Sequence, residues 1–474
     1  MPSDQMTEYE RRRLENIKRN CDMLASLNIQ SHLSNFRFRE EKRRKYEKKP
    51  IQEASRISLR TQGISPHFSG LPEDYNESLK PSRYESKTPE TISFAGPLYM
   101  RDAYKGAGSH RTLVDKFACL KSVQTSIDHA GIAKVDWKKS EECIDFNSFK
   151  LKVRNVARVV SENILALRFL PSTSMTMVVV GNRDGELGFW DVGHGNVGDE
   201  AIHLYRPHAA AVSGISVHPF ALSKVYTTSY DGCLRLMNIE REEFDLVYSN
   251  KSGYSLYSIS QPPNDPNSIY VGEGLGVVNI FDERARKYVN SWCLHEQRIN
   301  TIDFNLANPN IVATGSTDGL ACLWDLRKME VKDGNCKPLH TVDLGKAVLS
   351  AYFSPYGSNL ALSVDGYVRV VCGANFEDFF TIHERYRYRC RSANFNHWNT
   401  CPRAVWGWDD NHIYAGDSRR CINIVSVSER KIVYSLESPL MSAISSRYDA
   451  HPYTVGMMAA ATAGGSVYIW TSDL

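Results

Sequence analysis

At 474 residues, 42% hydrophobic and 11% aromatic, the chain is long and apolar enough to bury a sizeable core. Its net charge is only +3, but the first sixty residues alone carry roughly +6, which predicts a basic arm on a nearly neutral body. No apolar run is long enough for a membrane span, the polar start MPSDQMTEYERRR predicts no secretory leader, and 11 cysteines without a CxxC pair support neither a zinc knuckle nor a redox pair.

In chain order, residues 1–35 read as a helical segment, with the helix expected over 6–33. Thr7 is its N-cap and Glu10, three residues on, completes a capping box. Tyr9, Leu14, Ile17, Leu24 and Leu27 give a partial apolar stripe. Such a helix is marginal alone in water, so it docks either on the rest of its own chain or on a partner. Residues 36–146 read as a basic, largely disordered linker. Within it Lys42, Arg43, Arg44 and Lys45, followed by Lys48 and Lys49, fit a nuclear localisation signal, a nucleic-acid patch or a solvated charge run.

Residues 147–474 repeat about every 40–50 residues, the period of propeller blades with four short strands each. The first unit ends in Trp190-Asp191, the second in Met237-Asn238, the third in Phe281-Asp282, and the fourth, LHEQRINTIDFNLANPNIVATGSTDGLACLWDLRK, in Trp324-Asp325. A fifth starts at His340, a sixth at His383, and the seventh closes the chain through Trp470. Asp184-Gly185, Asp231-Gly232, Asp318-Gly319 and Asp365-Gly366 supply the turns a tight hairpin needs. Cys322, Cys372 and Cys421 sit in apolar strand-like runs and read as reduced core thiols. The expected fold is all-β: a seven-bladed WD-repeat β-propeller with an N-terminal helical and disordered basic arm. Closure removes free sheet edges, and SFKLKVRNVARVV (148–160) is the strand expected to complete the last blade. The repeat histidines, His208 and His340 among them, are assigned to hydrogen bonding inside blades rather than to metal or catalysis.

Antiparallel strand order separates two faces. The loops before each first strand carry Arg206, Lys251 with Tyr254, Arg298 and Lys346, then ERYRYRCR with Arg385, Arg387 and Arg389, and then Arg403. Converging at the channel, these cations suit phosphates and the tyrosines suit unstacked bases. The opposite face carries Asp325 with Arg327 and Asp282 with Arg284 in adjacent blades, a docking point for acidic or carbonyl groups of a partner.

VATGSTDGLACLWDLR (312–327) resembles the sixteen-residue box of cullin-4 ubiquitin-ligase substrate receptors, whose closing Arg, here Arg327, contacts the damaged-DNA-binding adaptor. Through YERRRLENIKRN, RISLRTQG (56–63), NVARVV, LHEQRINTIDFN, SAYFSPYGSNL and CINIV, the whole chain resembles the WD-repeat protein 76 family, relatives of the damaged-DNA-binding protein subunit 2. The resemblance implies a nuclear chromatin protein that binds double-stranded DNA, responds to DNA damage and recruits the ligase adaptor. Some members favour 5-hydroxymethylcytosine. It sets Arg385–Arg391 where the damage-binding relative has its DNA wedge, and Arg298, Lys346 and Arg403 on its DNA face. The wedge region here reads RYRYR, which favours backbone contact over lesion-specific wedging.

No nucleotide loop, metal-ligand spacing or nucleophile elbow is present in the sequence, so neither catalysis, a cofactor nor a small-molecule substrate is expected. The competing reading is a protein-interaction platform whose basic face binds acidic peptides or chromatin proteins without touching DNA.

Overall fold

The computed structural model describes residues 94, 96–124, 144–193, 201–218, 221–250, 252–265, 267–329, 336–373, 376, 378–383 and 402–472, together with Glu15, Lys18 and Arg19. The chain divides into two units, residues 1–86 and 87–474. In the first, the three described residues are helical and lie inside the predicted 6–33 helix. Lys42, Arg43, Arg44 and Lys45 lie outside the described residues.

The second unit contains seven antiparallel sheets of four strands, one of them extended by a fifth. Blade 1 spans 164–205, blade 2 212–249, blade 3 256–293, blade 4 299–343, blade 5 348–383 and blade 6 405–436. Blade 7 takes its three inner strands from 445–472. Its outermost strand is β2 (Phe149–Arg158), from before blade 1, the closing strand expected from 148–160. Leu151 pairs with Trp470 and Val156 with Tyr468, with an irregularity between them. There Asn155 donates its side-chain amide to the Ile469 carbonyl at 3.2 Å. The innermost strands touch one another in sequence, and blade 7 touches blade 1, so the ring is closed.

The repeat chemistry explains the blades. Gly185, Gly232, Gly319 and Gly366 all have positive φ in the turns between second and third strands. A Cβ at Gly185 would strike the carbonyl oxygen of His208, so the next loop lies directly against that turn. At the end of the third strand, Trp190 packs with Ala459 and Ile469 of blade 7, and Trp324 with Tyr270 and Ile280 of blade 3. Each buried aromatic contributes about 2–3 kcal/mol of transfer free energy.

Blade 2 has Met237 at that position, and another part of the chain joins its cluster. In the segment read as linker, Leu98–Tyr99 (β1), Met100–Ala103 (α1) and His110–Gln124 (α2) are built onto the propeller. β1 is the fifth strand of blade 2, pairing Leu98 with Phe244. Leu113, Phe117 and Leu120 of α2 enter the same cluster as Met237, Phe189 and Phe244. Arg235, fully buried, donates to the Gly96 carbonyl at 2.8 Å and the Phe94 carbonyl at 2.6 Å. Lys116 of α2 reaches Asp191 of blade 1 at 2.8 Å. Cys322 and Cys421 are buried, which pushes both thiols up to about 11, while Cys372 is half-buried. No helix among the described residues is long and apolar enough to cross a membrane.

Candidate nucleic-acid interface

The loops leading into each innermost strand share one face with the turns between second and third strands. Two histidines tie them together. In blade 2, His208 bonds Asp231 at 3.0 Å and Thr227 at 2.9 Å. In blade 4, His295 bonds Asp318 at 2.9 Å and Thr314 at 2.7 Å, and Trp324 donates its indole N–H to the same Thr314 hydroxyl at 2.7 Å. Burial alone would raise the Asp231 carboxyl, but His208 and the Cys233 and Ala209 amides hold it down at about 2. Burial lowers the His208 imidazole despite Asp231. These groups are structural, and they fix where the basic loops begin.

On that face the seven inner strands enclose a channel of about 70 Å³, capped by a smaller space of about 10 Å³. Arg298, Arg403 and Arg447 line the cap with Tyr230, Tyr257 and Asn300. Among the described residues no carboxylate lines either space. The Arg298 guanidinium carbon lies 5.1 Å from the Tyr257 ring centroid, and Tyr257 lies 4.9 Å from Tyr230. Arg298 Nε is buried without a hydrogen-bond partner. Arg298 also lines, with Lys346, a surface depression of about 500 Å³ beside the mouth. Lys346 is exposed, its ammonium 5.7 Å from the Tyr367 ring. Acidic groups occur toward the far ends of the inner strands. There Arg168 donates to Asp449 at 3.0 Å, and Asp303 accepts from the Phe353 amide at 2.7 Å. Burial pushes the Asp303 carboxyl up to about 7, against the pull of that amide and of Arg168.

The sequence-predicted cations therefore separate. Arg298, Arg403 and Lys346 come together. Arg206 is half-buried at the start of the blade 1–2 loop, donates its backbone N–H to Ala103 at 2.8 Å, and lines none of these spaces. Lys251, Arg385, Arg387 and Arg389 lie outside the described residues. Sequence reasoning missed Arg447, Tyr230 and Tyr257. Arg447 lies within the innermost strand of blade 7, where only ring closure turns it toward blade 1, and its Nε donates to the Leu165 carbonyl at 2.8 Å.

His340 needs a correction. It opens the outermost strand of blade 4, opposite Leu323, and blade 5 begins at Val348. His295 makes the intrablade bonds expected of it. His383 likewise ends the outermost strand of blade 5 and is not the start of blade 6.

On the opposite face, Asp325 caps a short 3-10 turn, Leu326–Lys328. Arg327 folds back onto it in a two-bond fork, Nε to Oδ1 at 2.9 Å and Nη2 to Oδ2 at 2.8 Å. The arginine is 64% exposed and Asp325 only 5%, so the buried carboxylate holds the exposed guanidinium in one orientation. Asp282 accepts from the Arg284 and Ala285 amides at 2.8 and 3.1 Å, leaving the Arg284 side chain exposed at the equivalent turn of blade 3. Among the described residues no group of His, Cys, Asp and Glu is arranged to hold a metal ion.

Seven blades, glycine-bearing turns and the His-Asp-Thr-Trp set of blade 4 define a WD-repeat β-propeller. The family profile described as WD domain, G-beta repeat matches residues 286–325. Homologues of this chain include proteins named WD repeat-containing protein 76 and DNA damage-binding protein CMR1. The former, from Xenopus laevis, is 27% identical over 427 residues, 85% of this chain and 69% of that protein. CMR1 of Kluyveromyces lactis is 26% identical over 369 residues, covering 69% of this chain and 72% of the relative. The protein of the same name from Aspergillus clavatus is 23% identical over 533 residues, 99% of both chains.

Proposed function

We propose that this chain is a nuclear WD-repeat scaffold that binds DNA or chromatin and serves the response to DNA damage. The observation that carries the reading is the convergence of Arg298, Arg403 and Arg447 on one channel mouth that no described carboxylate lines, with Lys346 and Asp318 in the depression beside it. Cations gathered on one surface attract a polyanion, and release of its counterions supplies the affinity. By sequence position Lys251, Arg385, Arg387 and Arg389 belong to loops before innermost strands, and they are the further cations proposed for DNA contact. Arg206, also proposed for DNA contact, lies in the loop before the blade 2 inner strand. The relatives named DNA damage-binding proteins support the same direction.

The second part of the proposal is a docking point for the damaged-DNA-binding adaptor of the cullin-4 ligase on the opposite face, made by Asp325 and Arg327 with Asp282 and Arg284. The Asp325–Arg327 fork supports it, because a pre-oriented guanidinium loses little freedom on binding. Lys42, Arg43, Arg44 and Lys45 are the proposed nuclear localisation signal. No catalytic step is proposed. The two faces are tested together: Arg298→Ala with Arg403→Ala weakens DNA binding and spares adaptor binding, and Arg327→Ala does the reverse. Equal damage to both interactions by both variants, with folding intact, would contradict the two-face scheme. Binding of acidic peptides but not DNA would leave the protein-interaction platform in its place.

A further inference from the structure

We infer that the channel mouth is a receptor for a terminal phosphate monoester on a nucleic-acid strand, so that the protein reads DNA ends as well as DNA backbone. The inference rests on the DNA-binding reading above and makes it specific.

Three observations carry it. Arg298, Arg403 and Arg447 line one small space, and among the described residues all its charged lining groups are positive. Among the described residues, Arg298 and Arg403 have no carboxylate partner, and Arg298 Nε is buried without any partner, an unmet donor that an anionic oxygen would satisfy. The space is continuous with the channel: Leu165, Ser213, Tyr257, Asn300, Arg403 and Arg447 line both. The combined size accommodates an object equal to a few waters, because about 10–15 Å³ of such volume holds one. That admits a phosphoryl group and excludes a base pair.

A terminal monoester fits better than an internal phosphodiester. It projects on a single ester bond, offers three free oxygens and carries a charge of about −1.5 to −2 at neutral pH. An internal phosphate offers two free oxygens and one charge, and the chain on both sides of it holds it outside the ring of inner strands. The tilted Tyr230–Tyr257 pair, with Arg298 over the Tyr257 ring, puts aromatic surface at the mouth for the terminal nucleotide to contact.

The test uses the full-length chain and one short duplex prepared with 5′-phosphate or 5′-hydroxyl ends, followed by fluorescence anisotropy. The phosphorylated duplex should bind about tenfold more tightly at pH 7.5. The advantage should shrink at pH 5, below the second phosphate pKa of about 6. Arg298→Gln and Arg403→Gln, each checked by a melting curve, should abolish the advantage and leave residual binding of the hydroxyl-ended duplex. Equal binding of the two duplexes by the unmodified chain overturns this inference and leaves the DNA-binding reading standing. No binding of either overturns both. If a phosphoserine peptide binds in a manner sensitive to both substitutions while neither duplex binds, the mouth reads phosphoprotein and the nucleic-acid assignment is wrong.

Discussion

His295 and Asp318 lie 2.9 Å apart across 23 residues of sequence, and through them a loop and a turn of blade 4 are tied together. The imidazole is fully buried and its other nitrogen meets Thr314, which also receives the Trp324 indole. His295→Ala leaves Asp318 and Thr314 with unmet bonds in a buried place. It should cost roughly 2–4 kcal/mol and lower Tm by several degrees, measured by calorimetry. His340→Ala, on an outer strand, should leave Tm nearly unchanged.

The strap before the propeller gives a second expectation. Arg235 is buried under Phe94 and Gly96, and its guanidinium is satisfied largely by their carbonyls. Arg235→Met should release β1 from the edge of blade 2. Hydrogen exchange at Leu98 and Tyr99 should then rise well before exchange in the inner strands, because the outer pairing opens locally.

Asp303 sets a pH dependence. Its folded-state pKa of about 7 lies above the roughly 4 of an unfolded aspartate, so between these values the folded chain holds a proton the unfolded chain has lost. The protonated form's contribution is present below about pH 4 and is lost as pH rises through 7. Asp303→Asn keeps an acceptor for the Phe353 amide and removes this titration. The variant's Tm should gain on the unmodified chain from pH 4 to pH 8; a constant difference would contradict the assignment.

Arg327 is the exposed half of its pair. Arg327→Ala should leave Tm unchanged and abolish adaptor capture in a purified two-component assay. Arg327→Lys should restore little, since a single ammonium cannot reproduce the fork to Asp325.

Much of this architecture could be read from local sequence. The Asp-Gly turns, the Trp-Asp and Phe-Asp dipeptides and the closing strand within 148–160 each follow from short-range chemistry, and the structure has each of them. The strap was harder to read. Its helix has Leu113, Phe117 and Leu120 at helical spacing, but in a window otherwise rich in polar and charged residues. The cluster with Met237 that stabilises it lies more than a hundred residues away. His340 by itself looks like a blade histidine; the distinguishing signal is an Asp-Gly turn 23 residues later, which His208 and His295 have and His340 lacks. The site was legible only in part. Arg298 and Arg403 stand in loops where basic residues attract notice. Arg447 is hidden in a strand and becomes a neighbour of Arg298 only through ring closure, a relation no local pattern contains.

The most direct test of the central claim is a titration of the full-length chain against labelled duplex DNA at several salt concentrations, using undamaged, lesion-containing and hydroxymethylated probes. The account predicts binding to all three at low salt. It also predicts a log–log salt slope of several units, falling by about one for each of Arg298→Ala and Arg403→Ala. Absence of binding at low salt, or binding indifferent to salt and to both substitutions, would contradict it.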